Sequence, residues 1–282
     1  GADNSQERSV DDRNSESDRP AITPNSRARN VGENIQRTIR NVLSTSPREM
    51  SFEQSREEVR ERQLELTEER RTLNSSIAKR AQALRDLEPE ERAEAAQRLT
   101  QERREFERAN AEGIKQLTEE RREAYQVRTE TEKEEFKERL QTVQDENKRA
   151  IAERLNNQLT SINERLLTSF AGNLDRIDEV LTTISTRADR AEVEGVDVTL
   201  VREAVEIARA SLSEANTEVV AQFDKSYSIE FNDNTELGDA IGNFRQSLRD
   251  DLVNIRALVQ EAHNETRSAA TILAQTSEDL DN

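Results

Sequence analysis

Leucine, isoleucine and valine recur along this chain at intervals of three, four and seven, with glutamate and arginine filling the positions between. That period belongs to α-helices with one apolar face, and it is sustained far too long for strands. Val31, Ile35, Ile39, Val42 and Leu43 line one face of a short first helix, which follows a tail rich in Ser, Asn and Asp. A Ser-Thr-Ser-Pro run at 44–47 ends it. Ser46 and Glu49 form a capping box for the next helix, with Pro47 at its first position. Val59, Leu66, Leu73, Ile77 and Leu84 then make a heptad-like seam.

Pro89 interrupts that seam. A helix running through it would lose an amide bond and clash one turn back, so the chain reverses or kinks there. Reversal is expected, because Asp86-Leu87-Glu88 is long enough for a tight helical hairpin and Pro89 suits a first helical turn, although the apolar phase also survives a kink. From 90 to 193 the stripe meets no other strong stop. It includes Leu99, Phe106, Ile114 and Leu117, weakens where Thr131 and Glu135 occupy expected seam positions, and improves from Leu140 onward. Gly195 is placed for a left-handed helix end, and Asp197 for the next cap, with Val196 and Val201 as a hydrophobic staple. A second seam runs through Val201, Val205, Leu212 and Val219 and a third through Leu237, Phe244, Leu248, Ile255 and Val259. Between them a linker at 224–234 holds Tyr227, Ile229 and Phe231, and Asp233 with Glu236 makes a further capping box.

The pattern predicts an all-α protein in which an elongated coiled-coil or αα-hairpin region is followed by an antiparallel three-helix bundle, with a disordered N-terminal tail. Residues 1–30 read as the tail, 31–45 as a short amphipathic helix and 46–139 as a charged hairpin or kinked helix. Residues 140–275 read as the bundle, with helices near 140–193, 199–223 and 235–275, and 276–282 as an acidic end.

Composition strengthens this reading. Charged residues make up 36% and apolar residues 32% of the chain, below the ~45–50% apolar content of a compact domain, so a single thick core is not expected. With 7 glycines and 4 prolines, helix breakers are scarce. The net charge of −17 argues against a general affinity for nucleic acid or anionic lipid. No apolar run approaches a membrane span, and without cysteine the chain has no disulfide or thiol chemistry. Charge is uneven, however. Arg19, Arg27, Arg29, Arg37, Arg40 and Arg48 stand against Glu33 alone around the first helix. Val31, Ile35, Arg37, Ile39, Arg40, Val42 and Leu43 are therefore the candidate interaction surface, suited to an anionic surface or a partner groove, or else to packing on the acidic body.

Catalytic patterns are weak. His263 has no second histidine to share a metal, and the carboxylate pairs lie on thin solvated helices where nothing separates their pKa values. Asn232-Asp233-Asn234 lacks the glycine and closing glutamate of a calcium loop. No cofactor, metal or catalytic residue is expected. A short element recurs as Leu66-Thr-Glu-Glu-Arg-Arg71, Leu87-Glu-Pro-Glu-Glu-Arg92, Leu99-Thr-Gln-Glu-Arg-Arg104 and Leu117-Thr-Glu-Glu-Arg-Arg122. Its uneven offsets exclude a solenoid, and it reads as charged helical surface supported by Glu–Arg pairs.

These elements resemble the LTxxQ segments of small periplasmic helical chaperones, with arginine where that motif has glutamine. The stretch from Arg187 to Ala215, with Glu194-Gly-Val-Asp-Val-Thr199 between two amphipathic helices, resembles the C-terminal hairpins of uncharacterised secreted bacterial coiled-coil proteins. That resemblance implies an exported or cell-envelope protein and supplies no catalytic residue. The expected function is a non-catalytic structural or adaptor role that presents helical surface to protein partners, the alternative being a chaperone-like holdase. Oligomeric state is left open, since the 47–135 seam can be covered by an intrachain hairpin or by a second copy, and any membrane contact would come through 31–43.

Overall fold

The computed structural model describes residues 51–85, 87–227, 229–231 and 235–278. The described residues form five α-helices and no strand: α1 (Phe52–Leu84), α2 (Pro89–Leu140), α3 (Glu146–Val193), α4 (Thr199–Gln222) and α5 (Leu237–Glu278). The candidate surface helix at 31–43 and the Ser46–Glu49 box lie outside the described residues, as does Asp233 of the last predicted box. Within them, α1 starts on a capping box of its own. Ser51 Oγ accepts from the Gln54 amide at 3.3 Å and Gln54 Oε1 accepts from the Ser51 amide at 3.1 Å.

The chain reverses at Pro89, which occupies the first turn of α2. Arg92 ties off the turn by donating to the carbonyls of Arg85 at 2.8 Å and Leu87 at 3.0 Å. A second reversal corrects the sequence reading of an uninterrupted 90–193 stripe: α2 ends at Leu140 and α3 begins at Glu146. This turn uses neither glycine nor proline. Val143 is buried in it, and Asp145 caps α3 by accepting from the amides of Asn147 and Lys148 at 2.9 and 3.1 Å. At the far end of α3, Gly195 has φ +98°, and the Val196 and Gly195 amides donate back to Ala191 and Glu192. That is a Schellman end. Asp197 follows, accepting from the Thr199 amide at 2.9 Å.

Short turns make α1 and α3 run one way and α2 and α4 the other, and after the 223–236 linker α5 returns alongside α3. α2, with 52 residues, is about 78 Å long at ~1.5 Å per residue. The expected all-α helical bundle is present, and the α1–α2 hairpin lies against it: α1 packs most extensively on α4, more than on its hairpin partner α2. Val59, Leu66 and Ile77 are thereby buried within the single chain. The main core unites α2 residues Tyr125, Phe136 and Leu140 with the seams of α3, α4 and α5. A smaller cluster of Ile77, Ala81, Leu99 and Val193 closes the end at the α1–α2 turn.

The α2 seam also differs in phase from its prediction. It runs through Leu99, Arg103, Glu107, Asn110, Arg121, Tyr125, Thr129, Phe136 and Leu140, and Thr131 and Glu135 are exposed. Its charged members were invisible to a search for aliphatic residues. Among the described residues no helix is long and apolar enough to cross a membrane.

Candidate interaction surface

The repeated Leu-Thr-Glu-Glu-Arg-Arg elements hold the interior together. In three of the four, the first arginine lies four residues after the leucine and so shares its inward face. Arg70, Arg103 and Arg121 come from three such elements and contact carboxylates on other helices, which corrects their reading as solvated surface. Arg103 and Glu107, one turn apart on α2, are each 1% exposed. Arg103 Nη2 donates to Asp189 Oδ1 on α3 at 3.0 Å, and its Nε donates to the other carboxylate oxygen. Glu107 accepts from Arg70 of α1 at 3.2 Å and pairs with Arg209 of α4 at 3.1 Å. Arg209 donates in turn to Asp178 at 2.8 Å, and Arg202 links Asp189 to Glu192. Four guanidiniums and four carboxylates from four helices thus neutralise one another.

Buried pairs of this kind add little net stability over well-packed apolar residues, yet removing one member exposes the rest to a large desolvation penalty. Aliphatic seams tolerate sliding by a turn. These pairs do not, so they fix the axial register of α1, α2, α3 and α4. Burial pushes the Glu107 carboxyl up, but Arg209, Arg70 and Arg103 outweigh it and hold it below the usual glutamate range. At Asp178 burial wins over Arg209, and the pKa is raised.

Glu69 and Glu120, also from the repeats, are raised chiefly by burial, with Arg62 and Arg121 respectively opposing it, and each has one buried carboxylate oxygen without a hydrogen-bond partner. A raised carboxylate binds its proton more tightly in the folded chain. Stability is therefore reduced at neutral pH and recovers as pH falls through the folded pKa toward the ordinary 4.5. The variants Glu69→Gln and Glu120→Gln are expected to melt higher than the parent at pH 7 and to lose that advantage near pH 4. Thermal melts followed by circular dichroism check this; an unchanged advantage at both pH values would contradict it.

At the other end of the bundle, a cavity of about 240 Å³ is bordered by Tyr125, Phe136, Asn163, Tyr227 and Phe244. Tyr227 stacks on Phe244 with ring centroids 5.2 Å apart, and Phe231 meets Phe136 edge-on at 6.2 Å. The linker aromatics thus cover the end of the core. Tyr125 donates to the Thr160 carbonyl at 3.2 Å, and Tyr227 donates to Asp251 at 2.5 Å. Burial raises both phenols, so they stay protonated through the neutral range.

A different surface lies between α3 and α5. There a groove of about 460 Å³ has a floor of Leu159, Ile162, Leu166, Phe170, Leu248 and Leu252. Arg245, Arg249, Arg256 and Val253 form its α5 wall, and Val253 is 59% exposed. Helical spacing places Arg154, Gln158, Arg165 and Ser169, all exposed, along the outer edge of the α3 stripe. Among the acids next to these residues, the exposed Asp250 accepts from Gln246 at 2.8 Å. Glu153 and Glu164 of α3 pair with Lys137 and Arg122 of α2, and Asp251 pairs with Lys225. Arg154, Arg165, Arg245, Arg249 and Arg256 make no ion pair with another described residue.

None of the seven candidate surface residues from Val31 to Leu43 falls among the described residues, and the groove is lined by other residues that the sequence reading did not single out as a surface. Its signal was present in two stripes, Leu159, Ile162, Leu166 and Phe170 on one helix and Arg245, Arg249 and Arg256 on another. What one sequence could not supply was their adjacency. His263 is exposed on α5, and no cluster of metal-ligating side chains occurs among the described residues. No family model, curated protein or solved structure matches the chain.

Proposed function

We propose that this chain is a non-catalytic structural or adaptor protein that presents helical surface to a protein partner. Supporting this is the division of its charges: the interior arginines are committed to carboxylates across four helices, while the α3–α5 groove has an apolar floor beside arginines that pair with no other described residue. A neutralised interior network gives a bundle of fixed register, and a rigid bundle holds its groove in one shape for docking. The tyrosine-lined cavity fits the same reading, since its phenols are held protonated and engaged in the closure of the bundle end. The setting, following the resemblance of the 187–215 hairpin, is an exported protein.

The chain contains no cysteine, so a single thiol-linked photocrosslinker can be placed at will. At Val253, on the groove wall, it is expected to form one discrete adduct with a cellular protein. At Val127, which is 72% exposed on α2, it is expected to form none. Equal labelling from both positions, or none from Val253, would remove the adaptor reading.

A further inference from the structure

We infer that the occupant of the α3–α5 groove is an amphipathic helix whose apolar stripe is bordered by acidic residues. This rests on the adaptor reading and adds the chemistry of the partner. The floor residues Leu159, Ile162, Leu166 and Phe170 advance along α3 at helical spacing, and Leu248 and Leu252 do the same on the parallel α5. Two parallel ridges leave a concave channel between them, and the span from 159 to 170 is about 17 Å, or three helical turns. A helix presenting residues at i, i+3, i+4 and i+7 fills such a channel with its apolar face. A flat lipid surface would meet the rims and leave the floor unfilled.

Charge decides the kind of helix. The chain as a whole carries −17, yet the charged residues that line this groove are all arginines, and all stand on its α5 side. Arg245, Arg249 and Arg256 stand along one wall, and Arg154 and Arg165 along the outer edge of the other. Acidic side chains on a docked helix would reach the α5 guanidiniums, and the same field would repel basic partners. It also disfavours the chain's own 31–43 segment, in which Arg37 and Arg40 flank the apolar stripe. A second copy of the groove would bring arginine against arginine.

The test uses the full chain and two fluorescein-labelled helical peptides of about fourteen residues, roughly four turns. Both carry leucine at i, i+3, i+4 and i+7. One is flanked by glutamate and the other by lysine. Fluorescence anisotropy at low ionic strength is expected to show the glutamate peptide binding at least about tenfold more tightly, with the preference shrinking as salt is added. In the triple variant R245E/R249E/R256E the preference should invert while the circular dichroism melt is retained. Equal affinity for the two peptides, or a preference unmoved by the triple variant, overturns the inference. So does a gain of about tenfold in peptide affinity when residues 1–45 are deleted, which would make the chain's own segment the occupant. Peptide-competable binding to anionic vesicles would assign the surface to lipid, and sedimentation showing a dimer broken by the triple variant would assign it to a second copy. Either result overturns it. A Val253 adduct without a glutamate preference would sink the acidic-helix inference alone. Loss of both would sink the adaptor reading as well.

Discussion

Replacing Glu107 with glutamine is expected to destabilise the chain by about 3–5 kcal/mol, the range seen when one member of a buried ionic cluster is removed. Glutamine keeps the shape of the side chain and deletes only its charge. Glu107 is 1% exposed and stands among Arg70, Arg103 and Arg209, so those guanidiniums would lose the anion they share. Asp178 and Asp189 still neutralise Arg209 and Arg103, but Arg70 is left without its α2 partner. Chemical denaturation checks the magnitude. A second variant separates charge from packing: Glu107→Gln combined with Arg70→Met removes the stranded cation and should recover part of the loss. A Glu107→Gln chain within about 0.5 kcal/mol of the parent would show that the network is not a structural requirement.

Phe223→Ala is expected to destabilise by a similar ~3–5 kcal/mol, for an apolar reason. Phe223 follows α4, is fully buried, and meets Tyr125 of α2 edge-to-face at 5.8 Å between ring centroids. Its carbonyl accepts from Arg128 at 2.5 Å, so the side chain and the backbone both fasten the start of the linker onto α2. Truncation would leave a cavity at the point where α2, α4 and the linker converge. Phe223→Leu, which preserves most of the volume, should lose much less. The measurement is again the denaturation midpoint, with near-ultraviolet circular dichroism reporting the altered packing around Tyr125. Equal losses for the alanine and leucine variants would exclude cavity formation as the cause.

The elements themselves were largely readable in the chain. Pro89 and Gly195 mark a reversal and a helix end because their backbone chemistry leaves few other uses at such positions. The turn at 141–145 was hidden because its cap, Asp145, is one acid in a run of charged residues and Val143 continues the apolar rhythm. The α2 seam was misread for a related reason. Arg103, Glu107 and Arg121 look like solvated surface until their partners on other helices are in place, and a single helix carries no information about those partners. The groove shows the same limit from the outside, since neither the aliphatic stripe of α3 nor the arginines of α5 is unusual until the fold sets them side by side.

Charge therefore has two roles here, and they are separable. In the proposed account, interior ion pairs set the register of the helices, and the groove arginines, which pair with no other described residue, select a partner. One paired measurement tests that division most directly: the melting temperature and the glutamate-peptide affinity of R245E/R249E/R256E set beside those of Glu107→Gln, with affinities taken where both variants are folded. The triple variant is expected to melt like the parent and to lose the peptide. Glu107→Gln should melt far lower and bind the peptide as the parent does. A triple variant that keeps full affinity, or loses it only through unfolding, would contradict the assignment of function to the groove.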